Sequence, residues 1–169
     1  MKIIVNTNNG VILDTYSKHA PDTYKYKGNP THSFPIEILD TPIKTKTFAI
    51  TLIDHDAIPV CGFSWIHWSC CNIRSDLSSI PAGFGTGENN DSIHGKNSFC
   101  SPFLGEVDDN LTTRYIGPTP PDKDHRYELT IYALDSELDL KNGYYLNELL
   151  YCIDSHLLNK TSITLMGRN

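Results

Sequence analysis

"TKTFAITLIDHDAIPVCGFSWIHW", Thr45 to Trp68, is the stretch on which the fold turns. From Thr45 to Ile53 it is rich in β-branched residues, the chemistry of a buried strand. The run ends on two carboxylates, Asp54 and Asp56. If the strand continues through them, both project on the face of Phe48, Ile50 and Leu52, where a core face meets solvent. Further on, "WIHWSCCNI" (Trp65 to Ile73) is a second strand. On it Trp65, His67 and Ser69 share one side, and Ile66, Trp68 and Cys70 the other. Charged and imidazole groups bordering a core need a reason, because burying them without partners is costly.

Working outward, strands dominate. "KIIV" (Lys2 to Val5) and "VILDTYS" (Val11 to Ser17) are expected to pair as a hairpin across Asn8-Asn9-Gly10. "SFPIEIL" (Ser33 to Leu39) reads as an edge strand, since Pro35 cannot donate a ladder hydrogen bond. "HRYELTIYALD" (His125 to Asp135) alternates Arg126, Glu128 and Thr130 with Tyr127, Leu129 and Ile131, which predicts a central strand with its more apolar face on the core. "TSITLM" (Thr161 to Met166) is a last strand. One helix is indicated, by Leu146, Leu149, Leu150, Ile153 and Leu157 at spacings of three and four. Between Pro81 and Arg114, glycine, serine, asparagine and aspartate accumulate as irregular chain. The pattern predicts a mostly-β sandwich with a helical appendage, residues 1–169 forming one domain.

The 169 residues can bury about 70% of the surface of the unfolded chain, so no disulfide or metal is needed for folding. Fourteen Lys and Arg against 20 Asp and Glu give a net charge of -6, without a basic block, which argues against nucleic acid as a partner. The first apolar run is too short for a signal peptide and none later reaches membrane-spanning length, so the expectation is a cytoplasmic protein without membrane insertion. Five cysteines without a C-x-x-C pair indicate reduced thiols rather than a disulfide framework or a thiolate zinc site.

If the strands carrying Asp54 and Asp56, His67, and His125 are neighbours with aligned ends, two carboxylates and two imidazoles gather at one mouth beside the turn "GPTPPDKD". The carboxylates would raise the imidazole pKa values, and protonated imidazoles donate charge-assisted hydrogen bonds to phosphate or carboxylate. Pro118, Pro120 and Pro121 stiffen the turn and leave Gly117, Thr119 and Asp122 as backbone donors. Each piece also has a plainer reading: D-x-D as a turn former, His67 as a satisfied core histidine, the prolines as a loop.

Taken in order, "DHDAIP", "WIHW" and "YIGPTPPDKDHRYELTIYALD" resemble the phosphatidylethanolamine-binding protein family, also called Raf kinase inhibitor protein-like, and most of all its bacterial and archaeal branch. The resemblance implies a two-sheet antiparallel β fold with one or two helices, the main one near the C-terminus, and a small cavity for phosphate, phosphorylated head groups or acetate-like anions. It implies ligand-binding roles for Asp54, Asp56, His67 and His125, lining or support by Trp65 and Tyr127, and a rim from Tyr115 to Pro121 that includes Gly117 and Thr119. Three departures stand out: His55 replaces a proline, Ile58 is inserted before Pro59, and Thr119 stands where many members have glycine. The segment "CSPFLGEVDDNLTTR" (Cys100 to Arg114) is longer than in the shortest bacterial members and would cover the pocket or serve a dimer contact.

The leading expectation is therefore a small-anion-binding protein with no cofactor or metal, a regulator or inhibitor of a protein partner, and a homodimer as in many bacterial members. The alternative is a hydrolase in which Asp54, Asp56, His67 and His125 hold a metal or act as acid and base on a phosphoester or related bond. No nucleophile motif such as G-x-S-x-G supports it.

Overall fold

A computed structural model describes residues 1–77, 79–86 and 92–169. In chain order its elements are β1 (Lys2–Ile4), β2 (Thr7–Asn8), β3 (Val11–Ile12), β4 (Lys25–Tyr26), β5 (Asn29–Pro30), β6 (Ile36–Leu39) and β7 (Thr47–Asp54). Then come α1 (Ile58–Cys61), β8 (Trp65–Arg74), β9 (Ser79–Ile80), β10 (Ile93–His94), α2 (Asp109–Thr112), β11 (His125–Leu134), α3 (Leu146–Asp154) and β12 (Leu157–Gly167). Part of the irregular stretch after Pro81, residues 87–91, lies outside the described residues.

One sheet runs β10-β8-β7-β11-β12-β3-β2, a smaller one β1-β6-β9, and β4 and β5 form a separate ribbon. Along β7 the side chains alternate as extended backbone requires. Phe48, Ile50 and Leu52 enter a core with Trp68, Leu129, Ile131 and Leu165, roofed by Ile3, Ile36, Ile38 and Ile80 of the smaller sheet. Ala49, Cys71, Tyr132 and Leu134 face the other way, beneath Leu149 and Ile153 of α3. Both faces of the central strands are thus covered, which explains why β7 reads as a nearly unbroken apolar run. Adjacent Cys70 and Cys71 fall into the two different cores, and burial raises both thiol pKa values, that of Cys71 to about 12. All five cysteines are free.

Several expectations need correcting. The large sheet is mixed, because β3 runs parallel to β12, so the architecture is not wholly antiparallel. The hairpin turn at Asn9 (φ 51°) and Gly10 (φ 85°) joins β2 to β3, while β1 departs to pair with β6 in the other sheet. Two positive φ values in succession suit a tight hairpin turn, and asparagine and glycine tolerate them. β6 lies in the middle of its sheet rather than at an edge. Pro35 precedes its first paired residue, so no ladder bond is lost. Leu157, placed by its spacing on the helix, opens β12. Among the described residues no helix is long and apolar enough to cross a membrane.

Candidate ligand-binding site

At one end of the large sheet, β7, β8 and β11 finish together: Asp54 pairs with both Trp65 and Tyr127. A cavity of about 220 Å³ opens there. Its walls are largely apolar, from Val60 of α1, Trp65, Phe99, Ile116 and the prolines of the 117–121 turn, and its polar groups are few. Of the residues singled out in the sequence, Asp54, Trp65, His67, Thr119, His125 and Tyr127 line it.

The β7–β8 register slips by one residue at this end, since Leu52 pairs with Trp68 but Ile53 with Ile66. His67 is the extra residue of this bulge. It therefore turns its ring to the edge of Tyr127, centroids 5.0 Å apart, while Trp68 packs into the same core; strict alternation would have put the two on opposite faces. His67 Nδ1 lies 2.8 Å from the Ile116 carbonyl oxygen, and the Ile116 N–H donates back to the His67 carbonyl. A carbonyl only accepts, so Nδ1 carries the proton and Nε2 presents a lone pair. Burial pushes the His67 pKa down to about 4. The expected protonated imidazole is thus corrected at His67: it is a neutral acceptor, because its burial outweighs the pull of the Asp54 carboxylate.

His125 does carry a raised pKa. Burial acts to lower it, but the hydrogen bonds to Asp54 and Asp122 and their charges outweigh that. Nδ1 donates to Asp54 Oδ2 and Nε2 to Asp122 Oδ1, each at 2.8 Å. Both ring nitrogens of the imidazolium are therefore committed to carboxylates. Asp54 is buried and also accepts the Ala57 N–H at 3.0 Å, so it is fixed from two sides. Asp122, by contrast, is half exposed, its side chain 51% accessible. The Asp122 carboxylate is a site group that the sequence reading overlooked, having counted only its backbone N–H. The signal was available as an acid three residues before His125 in a turn.

Tyr127 Oη is buried and makes no hydrogen bond of ordinary geometry, though the Asp54 side chain and the Thr119 backbone lie close enough to act on it. Burial first and the Asp54 carboxylate second raise its pKa, holding the phenol protonated as a donor. The ring can lie here because Gly167, opposite His125 on β12, has no side chain: a Cβ there would sit 2.4 Å from Tyr127 Cε2. Gly167 was not singled out in the sequence, since a terminal glycine carries no sign of what packs on it.

Two expected site residues are not brought into the cavity. Asp56 lies past the end of β7, where the alternation that would have aimed it inward stops, and it accepts hydrogen bonds from the Arg126 backbone N–H (2.9 Å) and guanidinium (3.1 Å). Those bonds from Arg126 hold its pKa down at about 2. Gly117 donates its N–H to the Pro30 carbonyl at 2.8 Å, so that donor is spent within the fold. A Cβ at Gly117 would meet the Tyr16 carbonyl at 2.3 Å, which gives this glycine a packing role beside the site. Thr119 does reach the cavity, with its hydroxyl donated to the Gly117 carbonyl at 3.1 Å. Among the described residues, no group of three His, Cys, Asp or Glu side chains is arranged to hold a metal ion.

The family model for phosphatidylethanolamine-binding protein matches residues 5–167. The chain belongs to this family. Among relatives, YxkA of Bacillus subtilis is 51% identical over 168 residues, covering 99% of each chain. YbhB of Escherichia coli is 33% identical over 129 residues, 75% of each. Solved structures agree: a phosphatidylethanolamine-binding protein homologue from Chlamydia trachomatis superposes with a TM-score of 0.73 at 26% identity, over 98% of this chain and 92% of the other. E. coli YbcL, described as a member of the mammalian family, shares the fold with a TM-score of 0.76 at 19% identity over 99% and 98%. In this phosphatidylethanolamine-binding protein family member, the cavity is built from the same strand ends whose motifs carry the resemblance.

Proposed function

We propose that the cavity binds a small oxyanion that still carries a proton, a phosphate or a phosphorylated head group. The observation that carries this reading is Tyr127 Oη, a buried phenol beside the Asp54 carboxylate that makes no hydrogen bond of ordinary geometry, its residue lining an open cavity. Buried polar groups are rarely left unsatisfied, so a ligand oxygen is the natural acceptor. Beside it, His67 Nε2 offers a lone pair, which a P–OH group satisfies and a fully ionised phosphate does not. His125 supplies the positive charge, provided that Asp122 yields Nε2 to the ligand and turns into water. That exchange replaces one charge-assisted hydrogen bond by another, and the exposure of Asp122 permits it. The apolar walls suit a short aliphatic segment attached to the anion. Displacing Asp122 would also move the 117–122 turn, a surface change that a protein partner could read.

The test is a titration with inorganic phosphate and with phosphoethanolamine, observing the imidazole NMR signals of His67 and His125. Both signals are expected to move saturably, and Tyr127→Phe to weaken binding severalfold, about 1 kcal/mol. Unmoved imidazoles at millimolar ligand, or a response indifferent to Tyr127→Phe, would overturn the reading.

A further inference from the structure

A second cavity, about 490 Å³, shares no lining residue with the first and differs from it in chemistry. Lys96, Arg114, Thr113, His94, Asn142 and Asp109 contribute to its wall. Three of the residues that line it each carry a buried side-chain polar atom without a hydrogen-bond partner: His94 Nδ1, Thr113 Oγ1 and Arg114 Nε. Such orphaned atoms are uncommon in folded proteins, and here three belong to residues of one cavity.

The side chains are held in place from behind. His94, only 3% exposed, donates its backbone N–H to Asn142 Oδ1 at 2.8 Å, and its Nε2 lies 3.1 Å from Ser92 Oγ. Burial first and the Arg114 charge second lower its pKa to about 4, so the ring is neutral. The Arg114 guanidinium lies over the Tyr26 ring, 5.4 Å from its centroid, and the Arg114 carbonyl accepts from Asn97 Nδ2 at 3.0 Å. Among the described residues no carboxylate pairs with Arg114. Lys96 is anchored by Asp109 and by Thr112 Oγ1. Among the described residues of this wall, two cations therefore face one exposed carboxylate.

We propose that this cavity is a second ligand site, for a small hydrophilic oxyanion: a phosphate or carboxylate on a hydroxylated body. The guanidinium of Arg114 takes two oxygens of the anion in its planar fork, and Lys96 adds charge. Thr113 Oγ1, His94 Nδ1 and the Asn142 amide group then serve the ligand hydroxyls. The first cavity, with its largely apolar walls, instead suits an anion that carries a short aliphatic segment.

The probe is sn-glycerol 3-phosphate, titrated while the Arg114 Nε–H and His94 ring NMR signals are followed. Both are expected to move saturably, Arg114→Gln to weaken the response roughly tenfold or more, and Arg114→Lys to retain part of it. The Tyr127→Phe variant, impaired in the first cavity, should respond at Arg114 as the unaltered protein does. Unmoved signals, a response surviving Arg114→Gln, or Arg114→Lys behaving no better than a Gln variant that remains folded would each overturn the second site. Silence at His67 and His125 would count only against the first.

Discussion

Both ring nitrogens of His125 bind carboxylates, but the two carboxylates differ in freedom. Asp54 is buried and bonded again by Ala57, whereas Asp122 stands on an exposed turn. Removing the second should therefore be tolerated and informative. In Asp122→Ala the His125 pKa is expected to fall towards its ordinary value, read from the imidazole shift against pH, and phosphate affinity to rise severalfold because the ligand no longer displaces an internal anion. Affinity that is unchanged or lower would show that Asp122 does not compete. The residue types of the site were legible in the sequence: Asp54, His67, His125 and Tyr127 all reach the cavity. Their charge states were not. The carboxylates predict two raised imidazoles, yet His67 goes the other way, because its burial by chain distant in sequence outweighs the Ile116 carbonyl and the Asp54 carboxylate, both of which act to raise its pKa.

Among elements, the strands were legible and their partners were not. Local composition marks β7, β8 and β11, since branched and aromatic side chains suit a pleated, covered surface. Pairing partners depend on chain distant in sequence, so nothing local marks β6 as the partner of β1 or announces the parallel β3–β12 contact. The bulge at His67 is likewise a product of registering β8 against β7. At the end of β12, Gly167→Ala is expected to push the Tyr127 ring, cost about 1–3 kcal/mol by urea unfolding, and weaken the phosphate response of His67 and His125. A variant with normal stability and binding would mean that the ring has room to move. At the start of α3, Glu148 Oε2 accepts the Tyr145 N–H at 2.7 Å, half of a capping box. Glu148→Ala should therefore cost about 0.5–1 kcal/mol without altering the site.

For the whole molecule, stability should depend on pH through the buried imidazoles. His67 and His94 both have folded pKa values near 4, below the ordinary 6.5. Between these values the unfolded chain binds more protons, so stability is fully present above about 6.5 and falls as pH drops towards 4. Each group contributes on the order of 3 kcal/mol at most. His125 has the opposite sign: its contribution is complete below the unfolded value and is lost as pH rises through its raised folded value. Urea midpoints measured from neutral pH down to pH about 4 should decline, and His94→Gln should flatten the decline; a midpoint rising on acidification would contradict the burial of both rings.

Sequence alone determined the strand-rich class, the family and the residue types at the first cavity, because period-two patterning and motif order are written locally along the chain. Tertiary structure alone decided the mixed sheet, the exclusion of Asp56 and Gly117, the capture of His125 by Asp122, and the orphaned wall around Arg114. Those depend on desolvation and hydrogen-bond partners, which arise only when distant segments are packed together.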